Sequence, residues 1–128
     1  MAVVILGAVA TARAAEPRDA AALTRHDYVL HCAGCHKFDG TGSARIPDLH
    51  GIAELLDHPG WREYIMRVPG VAQAPLSDAR LALLLDWVVA RFGGSAVEST
   101  FSAADVGRMR ARPLRDPRGA RVDLLRAP

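Results

Sequence analysis

Cysteine is scarce in this chain: Cys32 and Cys35 are the only two among 128 residues. No second pair exists to complete a zinc ribbon, and no further thiol competes for a disulfide. Long hydrophobic runs are also missing. The apolar stretch at residues 2–10 is about half the length that a bilayer span needs. No segment alternates apolar and polar residues convincingly, so no strand is expected. The chain has no phosphate-binding Gly loop, no Ser/His/Asp set and no clustered metal-ligand motif away from its two cysteines. Hydrolysis and phosphoryl transfer therefore have no residues to run on.

What is present is concentrated in Cys32-Ala33-Gly34-Cys35-His36. C-x-x-C-H is the attachment sequence for a c-type haem. Two thiols add across the two haem vinyl groups to form thioethers. The two intervening residues let one turn of chain span those vinyls. The adjacent His then lies beneath the porphyrin, where its imidazole ligates the iron. A bare C-x-x-C has other uses: a thioredoxin-like redox pair, a disulfide, or half of an intermolecular zinc site. The first needs a βαβ setting, and no strand precedes the motif. The expectation is one haem c, covalent through Cys32 and Cys35, with His36 on the iron.

Residues 1–14 read as a signal peptide. The apolar run ends in Ala12-Arg13-Ala14, an A-x-A site that places cleavage before Ala15. No Lys or Arg precedes the run, and a start upstream of Met1 would supply one. An uncleaved N-terminal anchor is the alternative. Cleavage implies export to the bacterial periplasm, where c-type haem is attached, with no stable membrane insertion afterwards. The remaining 114 residues allow one small domain and a tail. A chain of this size buries a modest core, so the haem is expected to be a folding element as well as a cofactor.

The pattern is helical throughout, and the fold class is all-α. A first helix is expected from about Ala20 to Leu30, running into the Cys motif. Residues 38–56 are mostly loop, broken by Gly40, Gly42, Ser43, Pro47 and Gly51. A segment from Pro59 to about Val68 is helical, with Pro59 at its first position, His58 or Asp57 before it and Pro69-Gly70 ending it. Asp78 to Phe92 is the clearest helix. Ser77 caps it, Leu76 staples to Leu81, and Leu81, Leu84, Leu85, Val88 and Phe92 form its core stripe. Gly93-Gly94 stops it.

Over roughly residues 20–92 these pieces resemble a class I c-type cytochrome. Tyr28 stands four residues before Cys32, where that family has an aromatic, and should pack near Trp87. Asp39-Gly40 follows the Cys motif as in C-x-x-C-H-x-x-D-G. Pro47-Asp48-Leu49-His50-Gly51 is similar to the P-x-L-x-G segment, and Leu76-Ser77-Asp78 to the opening of the last helix. The resemblance implies a cytochrome c-like helical fold around the haem, in which the Pro47 carbonyl accepts from His36 Nδ1–H and tunes it. One position departs: Thr24 stands where the family has Gly at a close helix crossing.

The sixth iron ligand is open between Met66 and His58, with an iron that neither binds as the remaining case. Met66 lies two residues ahead of the Met-Pro position, which Val68-Pro69 occupies here. A thioether ligand raises the potential and suits electron transfer. Arg45, Arg62 and Arg67 are candidates to pair with haem propionates, with Trp61 and Tyr64 offering N–H and O–H to the same groups.

Charge is uneven. Residues 15–92 carry net −2 and residues 93–128 net +3. The domains expected are a mono-haem domain over 15–93 and an Arg-rich, partly helical extension over 94–128. Ser102 caps one short helix there and Asp116-Pro117 starts another, with Leu124 and Leu125 as apolar contacts. The extension is a docking arm for an acidic partner, a cap packed on the domain, or a mobile tail. The function implied is electron transfer rather than enzymic turnover, with a periplasmic dehydrogenase as donor, an oxidase or another cytochrome as acceptor, and no nucleic acid. A dedicated subunit of a dehydrogenase complex is one form of this. A five-coordinate iron would instead bind a diatomic gas or turn over peroxide.

Overall fold

In the computed structural model, which describes residues 17–94 and 101–127, two fifteen-residue helices cross and the rest is arranged around the crossing. Helix α1 is Pro17–His31 and α6 is Asp78–Phe92. Between them lie α2 (Ala33–His36), α3 (Ile52–Leu55), α4 (Trp61–Arg67) and α5 (Pro69–Ala72). After them come α7 (Ala103–Arg110) and α8 (Pro117–Arg126). No strand occurs among the described residues, so the fold is all-α. The signal-peptide reading falls on residues 1–14, outside the described residues. Among the described residues no helix is long and apolar enough to cross a membrane.

Helix α6 forms where its periodicity puts it. Ser77 Oγ accepts the Arg80 amide at 3.3 Å, which satisfies a first-turn N–H that the helix cannot. Leu81, Leu84, Leu85, Val88 and Phe92 are all buried. Helix α1 carries Asp27 and Tyr28 as its two buried large side chains. Tyr28 packs against Trp87 and Phe92, with ring centroids 5.3 and 5.4 Å away. Its hydroxyl donates to the Lys37 carbonyl at 2.7 Å. Asp27, 1% exposed, accepts both arms of Arg80: Nε at 2.7 Å and Nη2 at 2.6 Å. Thr24 turns its hydroxyl back onto the Ala20 carbonyl at 2.9 Å, so its polar atom is satisfied within its own helix.

One local expectation needs correction. Helix α4 begins at Trp61, not Pro59. Gly60 precedes it at φ +86°, a conformation glycine adopts freely and other residues rarely do. A Cβ on Gly60 would lie 2.8 Å from Leu124 Cδ2. Pro69-Gly70 ends α4 as expected, with Arg67 its last helical residue. Val68 becomes extended because the residue before a proline is pushed out of the α region. Pro69 then opens α5 at its first position.

The extension is helical at both expected places. Ser102 Oγ accepts the Asp105 amide at 3.1 Å and donates to the Asp105 carboxylate at 2.6 Å. Asp116 Oδ1 accepts the Gly119 amide at 2.9 Å, with Pro117 in the first turn of α8. Phe101 and Val106 join the same buried cluster as the α6 stripe. Helix α7 lies against α4, α5 and α6, and α8 lies against α4. Residues 101–127 are thus a packed cap on the rest of the fold.

The Asp27–Arg80 pair yields a stability test. Arg80→Ala leaves a buried carboxylate without its partner, and should cost about 3 kcal/mol by urea unfolding. The double variant Asp27→Leu/Arg80→Ala should lose less, because no charge is then buried alone. Equal losses would contradict this account.

Candidate cofactor site

The site is one helical turn set against one loop. Cys32 ends the run of α1, its amide donating to the Tyr28 carbonyl at 2.9 Å. The amides of Cys35 and His36 both donate back to the Cys32 carbonyl, at 3.1 and 2.9 Å. Both thiols are free; Cys32 is half-buried against the core and Cys35 is exposed. Burial pushes the Cys32 thiol up to about 11, with the nearby charges of Asp27 and Cys35 adding to the effect.

His36 Nδ1 lies 3.0 Å from the Pro47 carbonyl oxygen. A carbonyl can only accept, so Nδ1 carries the proton and Nε2 keeps its lone pair. Burial lowers the His36 pKa, against the opposing effect of that hydrogen bond. In the neutral imidazole, which burial favours, this bond fixes the tautomer and leaves the Nε2 lone pair available for a bond to a metal.

The loop that delivers Pro47 is tightly specified. Gly42 has φ +64°, and a Cβ there would sit 2.3 Å from the Ile46 carbonyl oxygen and 2.6 Å from that of Pro47. The Gly42 amide donates to the His36 carbonyl at 3.2 Å, and Ser43 and Ile46 exchange backbone bonds at 2.9 and 3.2 Å. Asp39 Oδ1 accepts from the Thr41 amide at 3.1 Å and its hydroxyl at 2.8 Å, which hold the carboxyl below its usual pKa. Further on, Asp48 Oδ1 accepts the His50 amide at 2.8 Å and lies 2.6 Å from His50 Nδ1. The Leu49 amide reaches the Gly40 carbonyl at 2.9 Å.

The remaining candidates divide into two places. Met66, 5% exposed, belongs to the apolar cluster against which Cys32 packs. His58 is exposed and borders a groove of about 170 Å³ with Leu55, Pro59, Trp61, Leu124 and Leu125. Trp61 is buried and meets Tyr64 edge-on at 5.4 Å. Tyr64 donates its hydroxyl to the Pro117 carbonyl at 3.1 Å. Arg67 gives Nε to the Arg112 carbonyl at 2.8 Å and Nη1 to Glu63 at 2.6 Å. The polar groups of Tyr64 and Arg67, expected at propionates, are thus turned to the extension and to Glu63. Arg45 is exposed on the Pro47 loop and Arg62 is exposed in the first turn of α4.

These residues fit the chemistry of a covalent haem: two unbonded thiols, a neutral imidazole with a free lone pair, and a buried thioether in the adjoining cluster. Large apolar side chains also face solvent on either side of the turn, with Leu30 60% and Phe38 75% exposed, and a bound macrocycle is a suitable cover for such groups. Among the described residues no cluster of three His, Cys, Asp or Glu side chains could hold a metal ion by itself. No model of a known protein family matches this chain, and no curated protein matches it. The resemblance to class I c-type cytochromes therefore rests on the sequence motifs alone.

Two participants were not visible as such in the sequence. Gly42 reads there only as a loop breaker. Arg110 sits in an Arg-x-Arg-x-Arg run that looks like a solvated face, yet it binds the 72–78 segment.

Thiol reactivity tests the asymmetry of the turn. In chain made without haem attachment, iodoacetamide should label Cys35 faster than Cys32 at pH 8, read by peptide mass spectrometry. Cys32 labelling should then rise about tenfold per pH unit until pH approaches about 11, since only the thiolate reacts. Equal rates at pH 8 would mean that the two thiols share one environment.

Proposed function

We propose that this chain is a mono-haem c-type cytochrome that carries single electrons between periplasmic redox partners. The observation that carries the reading is the His36–Pro47 hydrogen bond at 3.0 Å. It leaves a neutral Nε2 donor within one turn of two free thiols.

Cys32 and Cys35 would tether the group, and His36 would hold its iron. When bound, the haem supplies a one-electron ferric/ferrous couple. The chain's own part is to hold the donors. Gly42 lets Pro47 approach His36, and the Pro47 carbonyl fixes the ring's tautomer and raises its basicity. Met66 is favoured over His58 as a second iron ligand, because Met66 is buried in the cluster that Cys32 joins whereas His58 is exposed beside α8. A neutral thioether disfavours the higher charge on iron and so raises the potential.

The expected donor is a periplasmic dehydrogenase and the expected acceptor an oxidase or another cytochrome, met in small transient encounters. Exposed Arg112, Arg115, Arg118 and Arg126 would favour an acidic partner surface by electrostatic steering.

The test is the spectrum of the exported protein, oxidised and reduced, with the haem content per chain. One haem per chain, retained through acid–acetone extraction, and a low-spin spectrum with a sulfur-to-ferric-iron band are expected. Met66→Ala should abolish that band, and His58→Ala should leave it. Colourless exported protein would overturn the reading, and a high-spin wild-type spectrum would move it to an open iron site that binds gas or peroxide.

A further inference from the structure

The bonds that tie the extension to the rest of the chain fall on both sides of one residue, Met66. Before it, the Tyr64 hydroxyl donates to the Pro117 carbonyl at 3.1 Å. Immediately after it, Arg67 Nε donates to the Arg112 carbonyl, and the Leu114 amide donates to the Arg67 carbonyl, each at 2.8 Å. Beyond α5, Arg110 gathers the 72–78 segment. Its Nε donates to the Ala72 carbonyl at 3.0 Å and its Nη1 to the Leu76 carbonyl at 2.8 Å. Nη1 also reaches Asp78 Oδ1 at 3.2 Å, and Nη2 donates to the Ala74 carbonyl.

This is an unusual use of a guanidinium. Its side chain is only 16% exposed, and all three of its nitrogens are engaged. Within residues 73–77 the one local backbone bond runs from the Leu76 amide to the Ala74 carbonyl at 2.8 Å, so Arg110 supplies most of what ties the turn down. Helix α7 is seated closely to do this: a Cβ on Gly107 would lie 2.6 Å from Asp78 Oδ2. Helix α4 has only seven residues, too few to be stable unaided. Its place is therefore set by what packs on it, namely α5, α7 and α8.

We propose that Arg110 is a positioning residue for Met66, holding the α4–α6 segment so that the thioether is kept at its binding position. The proposal rests on the reading of Met66 as an iron ligand. A methionine side chain is flexible and a neutral thioether is a weak ligand, so the bond survives only where the backbone carrying it is held. Arg110 supplies that hold through a planar fork that lysine cannot reproduce.

The experiment uses the full-length haem-loaded protein and its Arg110→Ala, Arg110→Lys and Arg108→Ala variants. Arg108 is exposed and pairs with Asp105 within α7, so it controls for loss of charge. The readouts are the sulfur-to-ferric-iron band, the affinity of the ferric protein for added imidazole, and hydrogen exchange at residues 71–76. Arg110→Ala should bind imidazole roughly tenfold more tightly, equivalent to about 1.4 kcal/mol, with faster exchange at 71–76 and unchanged helical circular dichroism. Arg110→Lys should fall between it and the wild type, and carries the test if Arg110→Ala does not fold. Arg108→Ala should match the wild type. Unchanged imidazole affinity in both Arg110 variants, with the band present in the wild type, would overturn the positioning role alone. Absence of the band from the wild type would overturn the Met66 reading and this proposal with it.

Discussion

The crossing of α1 and α6 is the constraint on which the rest of the structure depends. At that crossing a carboxylate is buried with its guanidinium and a tyrosine is wedged between two aromatic rings. A buried charge tolerates little displacement from its partner, so the pair fixes how far one helix can slide along the other. Tyr28 converts that fixed crossing into a fixed starting point for the Cys turn. The same residue packs on α6 and bonds to the backbone just past His36. The turn is therefore held at its entry by α1 and at its exit by a phenol rooted in the core.

The loop opposite the turn is fixed by a different physics. Its shape comes from backbone-to-backbone bonds and from one glycine with no room for a side chain. Packing alone would leave the Pro47 carbonyl free to shift by fractions of an ångström. Steric exclusion at Gly42 and the bonds among residues 36–49 remove that freedom. The outcome is electronic: one nitrogen of one imidazole has its proton assigned, and the other is left as a donor.

Much of this was legible from neighbouring residues. Ser77, the α6 stripe and the Gly-Gly stop mark a helix whose signals all lie within it, and the helix has the expected ends. The Ser102 and Asp116 caps were legible for the same reason. The Pro47–His36 contact was implied by a motif likeness, and the structure has the bond. The failures share a cause in sequence distance. Gly60 takes its positive φ beside Leu124, which crowds any Cβ there, and nothing local to Pro59 signals this. Tyr64 and Arg67 looked available for anionic groups because their acceptors, on Pro117 and Arg112, lie 53 and 45 residues further along. The roles of Arg110 were hidden similarly: its partners are backbone carbonyls, which every residue has.

The order of these parts along the chain has a consequence in time. His36 and the loop that orients it are complete by about residue 51, whereas Arg110 and the bonds after it come from the last sixth of the chain. Until those last residues dock, one wall of the site has its bonds and the opposite wall lacks them. Whatever enters the site sideways meets its widest opening then, before the C-terminal part draws it closed.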